Sequence, residues 1–444
     1  MMKFLLLLLL FMLMNFFNKK KFLIKNNQIM YNLILFLLII MNNNSNFFIK
    51  MNLNLSINKT SYILIILLMW ISFLMTLNLN FKAKNLLMCM NLFILMNLIL
   101  TMLFSSINWM MFYILFELSL IPTMMLILGW GTYNDRIKAN FMMMMYTMIS
   151  SMPFLMYMII SFINFNSLSM MIMNESTNYF FINNFYYLMM IITFLVKLPM
   201  FMLHMWLPKA HVEAPIYGSM ILAAILLKIG SFGLMKINFL MNIFSLKLSP
   251  MISSLSLYGS IILSLICLFN YDMKIIIAYS SVIHMSLMIS NLMNLNKSGI
   301  YGSISMMISH GLCSSGLFCL TNLIYINSKS RNMSINKGLI NLSPPLTLSC
   351  FLMCSSNMSS PPSLNLISEI MLIMSMIKYS FNSIYLIILL CFFSSIYSIY
   401  LYMNSQFNLT IKTFKLFNLK TMNFYMMLMH WIPLNFFFLN LFYL

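Results

Sequence analysis

KLPMFMLHMWLPKAHVEAPIYGSMILAAILLKIGSFG, residues 197–233, differs in composition from everything around it. The chain has 7 Ala, and 4 of them (Ala210, Ala214, Ala223, Ala224) lie here with Pro199, Pro208, Pro215, Gly218, Gly230 and Gly233. Lys197 and Lys228 sit inside apolar runs long enough to cross a bilayer. An ionisable side chain at membrane depth costs several kcal/mol, so it marks a functional candidate. The fold has to hold two lysines inside a membrane.

Composition carries this reading outward. The 444 residues are 62% hydrophobic and 7% charged, against about 25% charged in a soluble domain. This is an integral membrane protein. Its 54 Met and 40 Phe stand beside only 3 Val (Val196, Val212, Val282) and 2 Arg (Arg136, Arg331). Nothing in lipid-facing helices favours Met over Val, but an AT-rich organelle genome reading an extra codon as Met accounts for the bias. The net charge of +19 would suggest nucleic acid in a soluble protein. Here the lysines lie singly or in short clusters between apolar runs, as topology signals do, and no nucleic-acid partner is expected. The 7 Cys form no CxxC and read as small core hydrophobes. Residues 4–14 look like the apolar core of a signal peptide, but Asn15 and Lys19–Lys21 come next, where a small-residue cleavage site would stand.

Spans of about 20 apolar residues can cross a membrane. The spacing predicts an all-α polytopic membrane protein with helices near 4–17, 29–41, 61–79, 86–104, 107–128, 140–162, 185–206, 216–240, 253–269, 274–293, 300–326, 346–377, 382–402 and 424–443. Fourteen spans put both termini on one side. Loops after odd-numbered helices hold 16 basic residues: Lys19, Lys20, Lys21, Lys25, Lys82, Lys84, Arg136, Lys138, Lys209, Lys274, Lys329, Arg331, Lys337, Lys412, Lys415 and Lys420. The other side holds 7: Lys3, Lys50, Lys59, Lys236, Lys247, Lys297 and Lys378. The positive-inside rule then turns both termini outward, into the intermembrane space if the membrane is mitochondrial. Trp109 and Trp130 flank the fifth helix about 31 Å apart, matching a hydrocarbon core between aromatic belts.

There are 6 carboxylates. Asp135 and Asp272 lie in short loops beside Arg136 and near Lys274, and Glu175 lies in a polar loop; all three are expected to be solvated. Glu213 falls in the HVE turn between helices seven and eight. Glu117 sits roughly 12 Å from one tryptophan belt and 20 Å from the other. Glu369 lies in LNLISEIMLIMSMI. Two acids and two bases are therefore expected to be buried. As structural ion pairs they would stabilise poorly, because desolvation can exceed the Coulombic gain. Burial also penalises the charged form of each, which favours groups that exchange protons. Proline sharpens the reading: Pro199 comes just after Lys197 and Pro361–Pro362 precede Glu369, as in discontinuous helices that line polar cavities. His284 and His310 lie in apolar helices with Ser neighbours and can relay protons or bond between helices. His204 and His211 are expected near the bilayer surface, with His430 beside Trp431. His204, His211 and Glu213 lack the one-face spacing of a metal site, and no GxGxxG with its acid, P-loop or cysteine cluster is visible.

The 197–233 segment, with LPKAHVEAP at its centre and GSMILAAILLKIG after it, resembles the chain 4 family of mitochondrial NADH–ubiquinone oxidoreductase. These are antiporter-like membrane subunits of respiratory complex I. The resemblance runs through FELSLIPT, SSVIHMS and SHGL, while the first 80 and last 40 residues match only in hydrophobicity. It implies fourteen helices with broken helices 7 and 12. Two inverted five-helix repeats would occupy about 86–240 and 253–402, between N-terminal helices in 1–85 and a C-terminal helix in 403–444. It also implies a proton relay in which Glu117 pairs with Lys197, Lys228 is central, His284 and His310 line the path, and Glu369 is terminal. Sister subunits usually carry lysine at this last position. The family works as a non-redox part of a proton-translocating NADH:ubiquinone reductase. NADH, FMN, iron–sulfur clusters and ubiquinone belong to the whole complex, and no cofactor or metal is expected on this chain. Implied partners are the other membrane-arm subunits and inner-membrane lipids. An AT-rich mitochondrial genome, such as an insect's, fits the composition. The alternatives are a subunit of a free-standing cation/proton antiporter and a purely structural subunit.

Overall fold

The computed structural model describes residues 2–17, 20–41, 55–79, 85–131, 134–170, 173, 184–407 and 420–440. Regular structure among them is helical, apart from three isolated β-bridges. In chain order the helices are α1 Met2–Phe17, α2 Lys20–Met41, α3 Lys59–Leu77, α4 Leu86–Ser105, α5 Trp109–Trp130 and α6 Arg136–Phe165. The next are α7a Asn184–Lys197, α7b Trp206–Glu213, α8 Ile216–Leu240, α9 Asn242–Phe269, α10 Met273–Asn294 and α11 Lys297–Ser328. The series ends with α12a Pro344–Asn357, α12b Leu364–Tyr379, α13 Ser383–Gln406 and α14 Thr421–Asn440. All fourteen expected positions are helical, and among the described residues 9 helices are long and apolar enough to cross a membrane. The other positions are α1, α2 and α14 together with α7 and α12, each of which is split into two short helices.

Several limits differ from the sequence expectation. Helix α2 begins at Lys20 rather than 29, and α9 at Asn242 rather than 253. Lys25 and Lys247 are thus helical, because neither lysine nor asparagine stops a helix that later burial secures. Pro250 lies inside α9 without ending it. Lys274, expected in a loop, is buried in the first turn of α10, where the Asp272 side chain accepts from its backbone N–H. Glu213, expected in a polar turn, is buried at the last position of α7b. Glu175 and the loop residues Lys19, Lys50, Lys82, Lys84, Lys412 and Lys415 lie outside the described residues.

The chain divides into two compact units. The first comprises Met1–Thr193 and Glu213–Ile225. Its core runs along α3 and α4 and meets an aromatic cluster in which Trp109 stands edge-on to Phe112 and Phe154, with centroids 5.8 and 6.0 Å away. The Asn97 amide donates to the Tyr31 hydroxyl at 2.9 Å, tying α4 to α2. Helix α5 is interrupted at Ser119. Pro122 explains this: it has no N–H to give the Leu118 carbonyl, and its ring crowds that group.

The second unit comprises Phe194–Val212 and Leu226–Leu444. Small residues set its helix spacing. A Cβ on Gly302 of α11 would stand 2.9 Å from the Met371 Cβ of α12b, so glycine permits that approach. The Ser375 hydroxyl of α12b also donates to the Asn291 side-chain Oδ1 of α10. Helices α10, α11 and α12b are thereby held together, and each of them carries a candidate site residue: His284, His310 and Glu369.

Candidate relay site

Lys228 comes two residues after a π-helical turn at Leu222–Leu226 within α8. Such turns contain an extra residue, rotate the helix beyond them and recur at functional sites. Lys228 is 0% exposed, and its Nζ lies 3.2 Å from His310 Nδ1 on α11. The His310 and His284 rings are 5.5 Å apart between centroids. His284 Nδ1, on α10, lies 3.3 Å from Glu369 Oε1 on α12b. The Ser359 hydroxyl, in the segment separating α12a from α12b, donates to Glu369 Oε2 at 2.5 Å. The Asn365 amide donates to the Ser356 carbonyl at 2.7 Å and fixes the two half-helices to each other.

Four titratable groups therefore stand in series: Lys228, His310, His284 and Glu369. The outer two contacts are within proton-transfer distance. Passage between the two rings requires imidazole rotation or an intervening water. Both histidines have a buried Nε2 with no hydrogen-bond partner among the described residues, so each retains a nitrogen for that step.

The other two expected residues lie apart from this series. Glu117, in the first unit, precedes the α5 interruption, and its Oε1 accepts from Tyr113 and, at 2.8 Å, from Ser151. Lys197 ends α7a in the second unit and is 3% exposed. Its Cβ lies 3.2 Å from where a Gly230 Cβ would be, so α8 closes tightly over it.

One expectation is corrected. The two lysines are buried, but Glu117 is half-buried and the Glu369 side chain is 13% exposed. Both acids border helix faces that this chain leaves uncovered, with Ile114 and Ile121 exposed near the first and Ile370 and Met374 near the second. The hydrogen-bond donors to the acids were not singled out by sequence. Tyr113 and Glu117 stand at i and i+4, a legible helical pair; Ser151 and Ser359 carried no such signal.

Apolar helices of which α7 and α12 are each split into two short halves, with Lys197 and Glu369 beside the breaks, define an antiporter-like membrane protein. Residues 106–396 match the family described as "NADH:quinone oxidoreductase/Mrp antiporter, TM". Residues 1–106 match "NADH-ubiquinone oxidoreductase chain 4, amino terminus", so the resemblance extends through the first 80 residues, where only hydrophobicity was expected to match. The chain is 43% identical over 398 residues to NADH-ubiquinone oxidoreductase chain 4 of Ceratitis capitata, covering 88% of each. It is 46% identical over 333 residues to that of Locusta migratoria, covering 75% of this chain and 74% of the relative. Against the Apis mellifera ligustica protein it is 42% identical over 391 residues, covering 88% and 86%. The chain belongs to the NADH-ubiquinone oxidoreductase chain 4 family. Its fold is shared with a chain of "Respiratory complex I from Thermus thermophilus with bound NADH", with a TM-score of 0.85, 17% identity, and 97% of this chain and 94% of that one covered.

Proposed function

We propose that this chain translocates protons as a membrane-arm subunit of a mitochondrial NADH:ubiquinone oxidoreductase. It spans the inner membrane many times, and its termini face the intermembrane space. The observation that carries the reading is the series Lys228–His310–His284–Glu369, in which each group can take a proton from one neighbour and give one to the next. An ammonium at Lys228 donates to His310 Nδ1; after transfer a neutral amine faces an imidazolium. Glu369, held by Ser359, is the acceptor at the other end.

The chain is a non-redox subunit of the enzyme. NADH, FMN, iron–sulfur clusters and ubiquinone belong to other subunits, and charge changes there reach this one electrostatically through Glu117 and Lys197. Interactions of several kcal/mol between charges at close range make such coupling effective. The two five-helix sets, α4–α8 and α9–α13, support an internal inverted repeat, since each has in fourth place a helix split into two separated halves.

Replacing Lys228 by Ala in the assembled complex is the direct test. Sealed vesicles carrying Lys228→Ala should pump fewer protons per NADH oxidised. Unchanged pumping in assembled enzyme would remove Lys228 from the path.

A further inference from the structure

The His430–Trp431 pair on α14 has no part in the Lys228–Glu369 relay. Helix α14 turns Met426, His430 and Leu434 inward, while Tyr425, Ile432 and Phe436 stay exposed. His430 is 0% exposed, and its Cβ lies 3.2 Å from where a Gly316 Cβ would be, so glycine lets α14 close onto α11. Further along α14, Asn435 reaches α12. Only one orientation of its amide suits the neighbours: the nitrogen donates to the Pro362 carbonyl at 3.1 Å, and the oxygen accepts from Trp431 Nε1 at 3.1 Å. The reverse would set oxygen against oxygen and N–H against N–H.

Pro362 lies in the break between α12a and α12b. In a continuous helix its carbonyl would accept the Leu366 N–H, but that N–H goes to the Ser363 carbonyl at 3.2 Å. Hydrocarbon offers no water to such a carbonyl, so a neighbouring helix has to supply the donor. Asn435 supplies it. The same carbonyl lies inside the loop that the Ser359–Glu369 hydrogen bond closes. Ser359 stands at φ 56°, a left-handed conformation that persists only where its surroundings hold it. Asn365 ties this loop to α12a from within, through the Ser356 carbonyl. Asn435 ties it from outside α12.

We infer that Asn435, oriented by Trp431, is a positioning residue for the relay, clamping the α12 break from α14 so that Ser359 holds Glu369 at His284. This rests on the proton-translocating function proposed for the chain. Asn435 carries no proton itself. It acts through the backbone between Ser359 and Glu369, where a displacement of about 1 Å at a transferring group can cost about 10²-fold in rate.

The test uses sealed vesicles carrying the assembled complex. The protons that Lys228→Ala removes per NADH oxidised define the share pumped through this chain. Asn435→Leu keeps the size of the side chain, removes the donor, and should lose at least half of that share. Trp431→Phe removes the N–H that orients the amide and should lose less, in the same direction. Full pumping in Asn435→Leu together with loss in Lys228→Ala overturns the clamp and leaves the relay standing. Full pumping in both overturns the relay as well.

Ser359→Ala separates positioning from a general loosening of helix contacts. It should lower pumping too, and full pumping there overturns the clamp. Because Asn435 and Ser359 act through one carboxylate, the double variant should pump as much as the more impaired single one. Losses that multiply in the double variant overturn the clamp. Where Asn435→Leu does not assemble, the wild-type complex decides. In its cryo-electron microscopy map the Asn435 amide should lie within hydrogen-bond reach of the Pro362 carbonyl. A lipid or a neighbouring subunit between them overturns the clamp whichever variant assembles.

Discussion

Glu369 shows how much a single residue owes to its neighbours. One oxygen faces His284 Nδ1 at 3.3 Å and the other accepts from Ser359 at 2.5 Å. Glu369→Gln preserves the size and most of these contacts but cannot carry a proton. Loss of a positioned proton-transfer group slows a step by about 10²–10⁴-fold. Assembled Glu369→Gln enzyme should therefore show little pumping through this chain, measured with a pH-sensitive dye in sealed vesicles. Normal pumping would exclude Glu369 as the terminal group. The candidate relay residues were legible one by one as candidates, since an ionisable group in an apolar run is conspicuous. Their order was not, because Lys228, His310, His284 and Glu369 come from four helices whose approach no local pattern encodes.

Interrupted helices carry Lys197 and Glu369. Pro199 and the Pro361–Pro362 pair announced the α7 and α12 breaks in the sequence. Pro122 had the same signature beside Glu117, yet the apolar run over 107–128 reads as one helix, and only the fold displays the interruption at Ser119. The π-helical turn before Lys228 had no legible signal at all. Helix contacts can be tested directly. Gly302→Leu would press on Met371 and Leu372 of α12b, and overpacking of this kind costs about 1–3 kcal/mol. It should lower the thermal stability of the complex and reduce pumping by separating α11 from the helix that bears Glu369. Gly129→Ala is the control: its Cβ would meet nothing within 4 Å, so stability and pumping should be unaffected. A Gly302 variant as stable and active as the control would show that this contact does not hold the relay together.

At the scale of the whole molecule, large apolar residues remain exposed along much of the surface, among them Ile149, Ile163, Phe269, Phe381 and Tyr385. A surface of that kind is suited to lipid and to neighbouring membrane subunits. On a native gel of source membranes, the chain should run in the high-mass band that stains for NADH dehydrogenase activity. Migration elsewhere would detach it from redox chemistry and leave a free-standing antiporter. Orientation is tested separately. With the outer membrane removed and the inner one intact, an epitope at the N-terminus should be accessible to antibody, while a cysteine label at Lys209 should not. The opposite result would reverse the matrix and intermembrane sides and with them the direction of translocation.

Sequence by itself determined that the chain lives in a membrane, that its spans are helices, and which few residues could carry protons. Those conclusions come from composition and local periodicity, because lipid leaves a backbone no choice but to satisfy its own hydrogen bonds. Tertiary structure decided how deeply each group is buried. Lys274 went inside against expectation, while Glu117 and Glu369 kept part of their surface. It also decided which group faces which, linking Lys228 to His310 and His284 to Glu369. The physical reason is that burial and contact depend on which helix faces meet. That is settled by packing between segments far apart in the chain, where glycines, prolines and hydrogen-bonded serines act together.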